Sequence, residues 1–250
     1  MNRNDELIAG AKALIDAGET AGLKLRLLGG LAVRLACASA ARPPFERVYS
    51  DADCIVASDP DTVQTFIRGQ GWIPEAEFNL YNGDKRLLFM SPRGIKLDIF
   101  LNVFSLCHDF DFSGRIPSQG YTVDPADLVL TKLQIHEVND KDLQDAACVF
   151  LDFDVCGESS SCEAGIDAGY IAGLCSADWG LEHSLVCNLK KTASWTCRAG
   201  LGVVEATAVQ DRITRLVNRI HRHEKTLAWR SRAILGTRLR WYQEVEEVER

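Results

Sequence analysis

The sequence predicts an α+β protein, α/β in its wound part. A small mixed β-sheet core with flanking helices is followed by a helical C-terminal domain. Three observations carry this. Strand-length apolar runs with period-two character, Leu23–Leu28, Arg86–Ser91 and Ile95–Leu101, lie in the first half. Segments of helical period are interleaved with them, and alternation of the two kinds builds a layered sheet-and-helix core. From Pro125 onward the strand pattern gives way to Leu-rich helical segments. The division is read as a core over residues 1–123 and a helical domain over residues 124–250 that completes its site.

In chain order, residues 5–18 carry Leu7, Ile8, Ala11, Leu14 and Ile15 at helical spacing, with Asp5 as N-cap and Gly18 as stop. Lys24 and Arg26 alternate with Leu23, Leu25 and Leu27, a strand pattern. Gly29-Gly30 closes that run, and Gly30–Ala40 reads as a helix. Its N-terminal N–H groups and positive dipole end suit a phosphate; the glycines also permit a tight strand-to-helix turn. Arg42–Tyr49, with Pro43-Pro44, is a loop in which Arg47 pairs with or orients the acidic stretch that follows. Asp59-Pro60-Asp61 opens a helix to Arg68, ended by Gly69 and Gly71. Glu77–Asn82, Arg86–Ser91 and Ile95–Leu101 read as successive strands joined at Asn82-Gly83-Asp84 and Ser91-Pro92-Arg93-Gly94. Cys107–Arg115 alternates Asp109, Phe110, Asp111 and Phe112, a solvated strand edge. Gly157–Ala164 is a loop or linker. Ala168–Cys175 and Asp178–Leu189 read as helices, with Trp179 and Trp195 in the core.

The chemistry gathers in three places. Ser50-Asp51-Ala52-Asp53 runs into Cys54-Ile55-Val56, and carboxylates at i and i+2 of a strand share a face. With no Lys or Arg between them, Asp51 and Asp53 call for a divalent cation, Mg²⁺ being the usual hard-oxygen choice. Asp98 sits inside the apolar run Ile95–Leu101, where a carboxylate is costly unless paired or metal-bound. Three such acids can hold two Mg²⁺ ions about 3.5–4 Å apart, the clamp used in phosphoryl transfer. The third place is Lys132, on a Leu-rich helix and read either as snorkelling to solvent or as a phosphate contact, with Asp142 and Asp145 one turn apart on the next helix.

Gly29-Gly30, then Asp51-x-Asp53, then Asp98 on a later strand resembles the nucleotidyltransferase superfamily of the DNA polymerase β type. Asp127–Gln134 followed by Lys141–Asp145 is similar to its AbiE-type (AbiEii) toxin branch. The resemblance covers about residues 23–150. The gap from the glycine pair to the first acid is longer than in the polymerases, and Ala52 and Cys54 stand where larger aliphatic residues are usual. The resemblance implies transfer of a nucleoside monophosphate from an NTP to an acceptor hydroxyl. Gly29, Gly30 and Ser50 would hold the nucleotide, and Asp51, Asp53 and Asp98 two Mg²⁺ ions. Lys132 would neutralise the leaving pyrophosphate, and Asp142 would act as base or position Lys132. It further implies a toxin–antitoxin or phage-defence role, an RNA or tRNA acceptor and a cognate antitoxin. The alternatives are a nucleotidyltransferase acting on a small molecule, as antibiotic-modifying enzymes do, and a non-catalytic binding module on the same fold.

Composition sets the outer bounds. In 250 residues, 46% are hydrophobic, enough for a core, and the net charge of −7 argues against a general nucleic-acid coat protein. No apolar run approaches the ~20 residues of a membrane span, and the N-terminus lacks the apolar centre of a signal peptide. The nine cysteines show no zinc-ligand spacing and read as free, mostly buried thiols in a cytoplasmic protein. Against the acidic total, Gln210–Glu247 places Ile213, Leu216, Val217 and Ile220 on one stripe and crowds Arg212, Arg215, Arg219, Arg222, Lys225, Arg230, Arg232, Arg238 and Arg240 around the rest. This is either a solvated face or a phosphate-tracking surface.

Overall fold

A computed structural model of the chain describes residues 3–157 and 165–244. These form two compact units, one built from residues up to 38 with 46–105 and 109–123, the other from 39–45, 106–108 and 124 onward. The architecture is α+β, with a small mixed sheet and flanking helices.

In the first unit, α1 (Arg3–Thr20) buries Leu7, Ala11, Leu14 and Ile15, the i, i+4, i+7, i+8 stripe of an amphipathic helix. It leads to β1 (Leu25–Leu28), α2 (Gly29–Ala36) and β2 (Asp51–Val56). Next come α3 (Pro60–Gly69), capped by Asp59 accepting from Thr62 N, and the short β3 (Ile73–Pro74). Then follow α4 (Ala76–Asn82), β4 (Arg86–Met90) and β5 (Lys96–Leu101). The strand order is β1-β2-β5-β4-β3, and only β2 and β5 run parallel. A hairpin of β6 (Val103–Ser105) and β7 (Asp109–Asp111) buries Phe110 and exposes Asp109 and Asp111, as the alternation predicts.

Two local expectations are corrected here. Glu77–Asn82 is helical, not a strand. Asn79 is buried, its amide donates to Leu88 O at 3.0 Å and its carbonyl accepts from Leu88 N at 2.7 Å. One side chain thus supplies the sheet-edge bonds that a strand would have made, and the backbone coils, leaving Leu80 and Tyr81 exposed. The helix expected over Gly30–Ala40 ends at Ala36 because Cys37 is extended; a 3₁₀ turn, Ala38–Ala41, follows. Arg26 is fully buried, because residues 121–123 cover the outer edge of β1 through Leu27 N–Tyr121 O and Val123 N–Leu27 O bonds. Its guanidinium donates to Leu25 O and pairs with Glu19, both at 2.6 Å.

The second unit holds α5 (Pro125–Leu133) and α6 (Asp140–Asp152), the latter capped by the Asn139 side chain. A short parallel pair follows, β8 (Val155–Cys156) with β9 (Ile166–Asp167). The remaining helices are α7 (Ala168–Ala177), α8 (Trp179–Arg198), α9 (Val203–Arg222) and α10 (Leu227–Leu235). Ser39 N and Oγ bond the Asp152 carboxylate at 2.8 and 2.5 Å, which anchors the 3₁₀ turn. The basic C-terminal stretch is not one helix: His223 is extended and Thr226 caps a new start by accepting from Trp229 N. Trp195 is buried, whereas Trp179 is half-buried. The loop expected at Gly157–Ala164 falls, from residue 158, outside the described residues.

Cys37, Cys54, Cys107, Cys148, Cys175, Cys187 and Cys197 are free thiols, the first five buried. Cys156 is disulfide-bonded, which corrects the expectation of a free thiol there. Among the described residues no helix is long and apolar enough to cross a membrane.

Candidate functional site

The parallel register of β2 and β5 sets Asp53 beside Asp98 and Asp51 beside Lys96. Neighbours in register on adjacent strands point to the same face, so the three acids form one patch on the sheet. Asp51 is exposed, Asp53 half-buried and Asp98 only 4% exposed. Between them, Ala52 and Cys54 turn to the opposite face and are buried. Burial pushes the Cys54 thiol up, and the charges of Asp53 and Asp98 push it further. The acid patch is therefore felt as negative through the strand.

One cation, Arg86, answers that charge directly, so Asp98 is paired within the protein. Arg86 grips Asp98 in a fork, Nε to Oδ1 at 2.8 Å and the terminal nitrogen to Oδ2 at 2.5 Å. Burial works against the Arg86 charge, but the Asp98 bonds and the Asp53 charge hold its pKa above the ordinary value. Its guanidinium also lies 4.9 Å from the Phe100 ring centre. Lys96 stands opposite Asp51. Sequence spacing alone gave no reason to place Arg86 here. The Ser91–Ile95 turn sets the β4–β5 register, and that register puts Arg86 one pleat repeat along from Asp98.

The glycine pair is fitted to this patch. Gly29 takes φ +72, and a Cβ there would lie 2.1 Å from Asp53 Oδ2. A larger residue would be strained and would displace the carboxylate. At Gly30 a Cβ would lie 2.3 Å from an Arg47 terminal nitrogen. Arg47 itself sits 4.4 Å from the Tyr49 ring centre. The start of α2, which has no acid in its first turn, thus has the Arg47 guanidinium beside it, a placement the sequence read only in terms of the acidic stretch that follows. Ser50 is exposed, directly before Asp51.

In the second unit, Lys132 lies on α5 with its ammonium 3.0 Å from Asp142 Oδ1 and 2.8 Å from Asp145 Oδ2. All three residues are largely enclosed, with side-chain exposures of 12, 11 and 3%. Burial works against the Lys132 charge, but Asp145 and then Asp142 outweigh it and hold the pKa up. Lys132 therefore does not snorkel. Asp145, set aside in favour of Asp142 on sequence grounds, is the nearer partner.

The basic C-terminal residues are largely engaged inside the second unit. Arg212 donates to Asp154 and to the Phe150 and Leu151 carbonyls, and Arg215 also reaches Asp154. Lys225 binds Glu182, Arg232 caps the carbonyls of Gly236 and Leu239, and Arg240 pairs with Glu244. Arg222, Arg230 and Arg238 are exposed.

No family model matches the chain, and no curated protein matches it. Among solved structures it is similar to an antigenic nucleotidyltransferase-like protein from Paracoccidioides brasiliensis, 14% identical over 90% of this chain and 96% of that one, TM-score 0.43. It is similar to the lincosamide antibiotic adenylyltransferase LnuA with lincomycin bound, 15% identical over 55% of this chain and 92% of that one, TM-score 0.40. It is also similar to the antibiotic-resistance factor ANT(2'')-Ia, 11% identical over 58% of this chain and 83% of that one, TM-score 0.40. These are likenesses of chain path at low identity.

Proposed function

We propose that the chain is a Mg²⁺-dependent nucleotidyltransferase that moves a nucleoside monophosphate from an NTP to an acceptor hydroxyl and releases pyrophosphate. One observation carries the reading: Asp53 and Asp98 lie side by side in register on one sheet face, with Asp51 on the same face and Gly29 pressed against Asp53. The residues fit a hard divalent cation. They offer only carboxylate oxygens, and each carboxylate has more lone pairs than one arginine fork uses. Asp51 and Asp53 would hold the ion, with Asp98 contributing its remaining lone pairs. When bound, Mg²⁺ supplies charge neutralisation on the triphosphate.

The chain's own residues then divide the work. Gly29 and Gly30 let backbone N–H groups approach phosphate oxygens, Ser50 adds a hydroxyl, and Arg47 adds a positive charge. Arg86 fixes the Asp98 carboxylate in one orientation. We assign Lys132 to stabilisation of the leaving pyrophosphate and Asp142 to positioning Lys132. Their mutual ion pair supports the second assignment more directly than the first.

For the acceptor we propose RNA, a tRNA end in particular, and a toxin role with a cytoplasmic antitoxin partner. The exposed Arg222, Arg230 and Arg238 support a phosphate-tracking surface. A small-molecule acceptor is favoured by a specific observation, the engagement of Arg212, Arg215, Lys225 and Arg232 within the fold. A non-catalytic module is favoured by the Arg86 fork, which lets Asp98 persist without a metal. Incubating the protein with each labelled NTP, Mg²⁺ and either total RNA or a hydroxyl-bearing antibiotic panel decides among them. Label in RNA supports the toxin reading, label in a small molecule supports the second, and no label with any acceptor favours the binding module.

A further inference from the structure

The opposite face of the same sheet contains a cavity of about 320 Å³ within the first unit. Its floor is Ala52, Cys54 and Leu97, the residues that alternate with the acids on β2 and β5. Leu7, Ala11 and Leu14 of α1 line it as well, with Gln70, Trp72 and Ile95. At the mouth, Glu6 and Arg93 face each other at 3.6 Å. We infer that this cavity is a binding site for a small neutral aromatic molecule of one or two fused rings.

Three features fix that class. The volume lies at the lower end of the range for small-molecule pockets, about 300–1,000 Å³. The lining is mainly apolar, with Gln70 and Ser91 as its neutral polar members, so a charged group placed there would lose most of its hydration for weak compensation. The two charges at the mouth pair with each other, so the entrance presents no net charge to attract an ion, while Trp72 offers a ring for an aromatic contact. A nucleoside triphosphate is excluded on the same grounds, and strand alternation aims the acid patch at the other face.

Gly10 supplies the test. It lines the cavity from α1, and a Cβ added there meets nothing within 4 Å. Gly10 is exposed at the edge of the cavity, so Gly10→Leu sets an apolar side chain at its entrance without a backbone clash, and in a helix interior it replaces a poor helix former by a good one. Indole is the probe, followed by titration calorimetry and thermal unfolding of the full chain. The parent should bind indole saturably, with a rise in Tm. Gly10→Leu should fold with an equal or higher Tm and bind indole about tenfold more weakly or not at all. Asp53→Asn should bind it as the parent does. Absence of saturable binding to the parent overturns the inference, as does retained affinity in Gly10→Leu. Loss of binding in Asp53→Asn would place the probe at the acid patch and overturn it too. Self-association of the parent that Gly10→Leu abolishes would assign the cavity to a side chain of a second copy instead.

Discussion

The two ionic clusters use the same chemistry to opposite ends. On the sheet, Asp98 meets Arg86, Lys96 stands beside Asp51 in register, and the patch runs from an exposed Asp51 to a buried Asp98. Between α5 and α6, one lysine sits between two acids and all three are enclosed. A strand ladder spreads its side chains in a row and leaves the end of the row in water. A helix pair converges its side chains on one point and closes around them. The first arrangement leaves the Asp51 end of the row in water. The second already has its compensating charge inside, and a buried pair loses heavily when one member is removed.

The largest expected effect follows from that closure. Lys132→Met leaves Asp142 and Asp145 buried together with no cation, and should cost about 3–5 kcal/mol in urea unfolding. A loss below ~1 kcal/mol would mean that the cluster is wetter than it looks. Adding Asp142→Asn and Asp145→Asn to that variant should recover part of the loss, since no buried charge then remains.

Arg86→Met is the matching change on the sheet. It should cost less, about 1.5–3 kcal/mol, the scale of hydrogen bonds to a charged group, because Arg86 keeps 21% side-chain exposure and its environment is partly aqueous. Under the proposed function, Mg²⁺ should restore part of this stability, because a metal ion takes over the charge that Arg86 supplied. No shift in the unfolding midpoint on titrating Mg²⁺ into Arg86→Met would count against a metal at Asp98.

Asp53→Asn sharpens the contrast by separating chemistry from stability. Transfer should be lost, yet unfolding should move by no more than about 0.5 kcal/mol, because relief of like-charge repulsion offsets lost contacts. A variant that transfers at the parent's rate would remove Asp53 from the site.

The smallest effect concerns acid. Burial, and then the charge of His136, hold the His183 imidazole below its usual value. Its folded pKa is depressed, so its contribution is present above the unfolded value of about 6.5 and is lost as pH falls below it. His183→Phe should therefore flatten the decline in stability between about pH 6.5 and 5. An unchanged slope would show that His183 is not responsible.

Local pattern made much of this protein readable. The α1 stripe, the Asp59-Pro60 start, the β4–β5 turn and the same-face placement of Asp51 and Asp53 all depend on near neighbours in the chain, where period and turn chemistry decide. The α+β class followed from the same signals. What the sequence could not supply was register and convergence. That Asp53 stands beside Asp98, that Arg86 grips Asp98 and that Lys96 faces Asp51 are consequences of how strands align across a sheet. Asn79 coils its segment because Leu88 presents a backbone edge to it, and Arg26 is buried because residues 121–123 cover its strand. Asp145 joins Lys132 because two helices bring a residue 13 positions away to 2.8 Å. In each case the deciding partner is distant in sequence, so no window of residues contains it. The chain alone determined which groups could do chemistry, and only the tertiary structure decided which of them are balanced and which remain open to water.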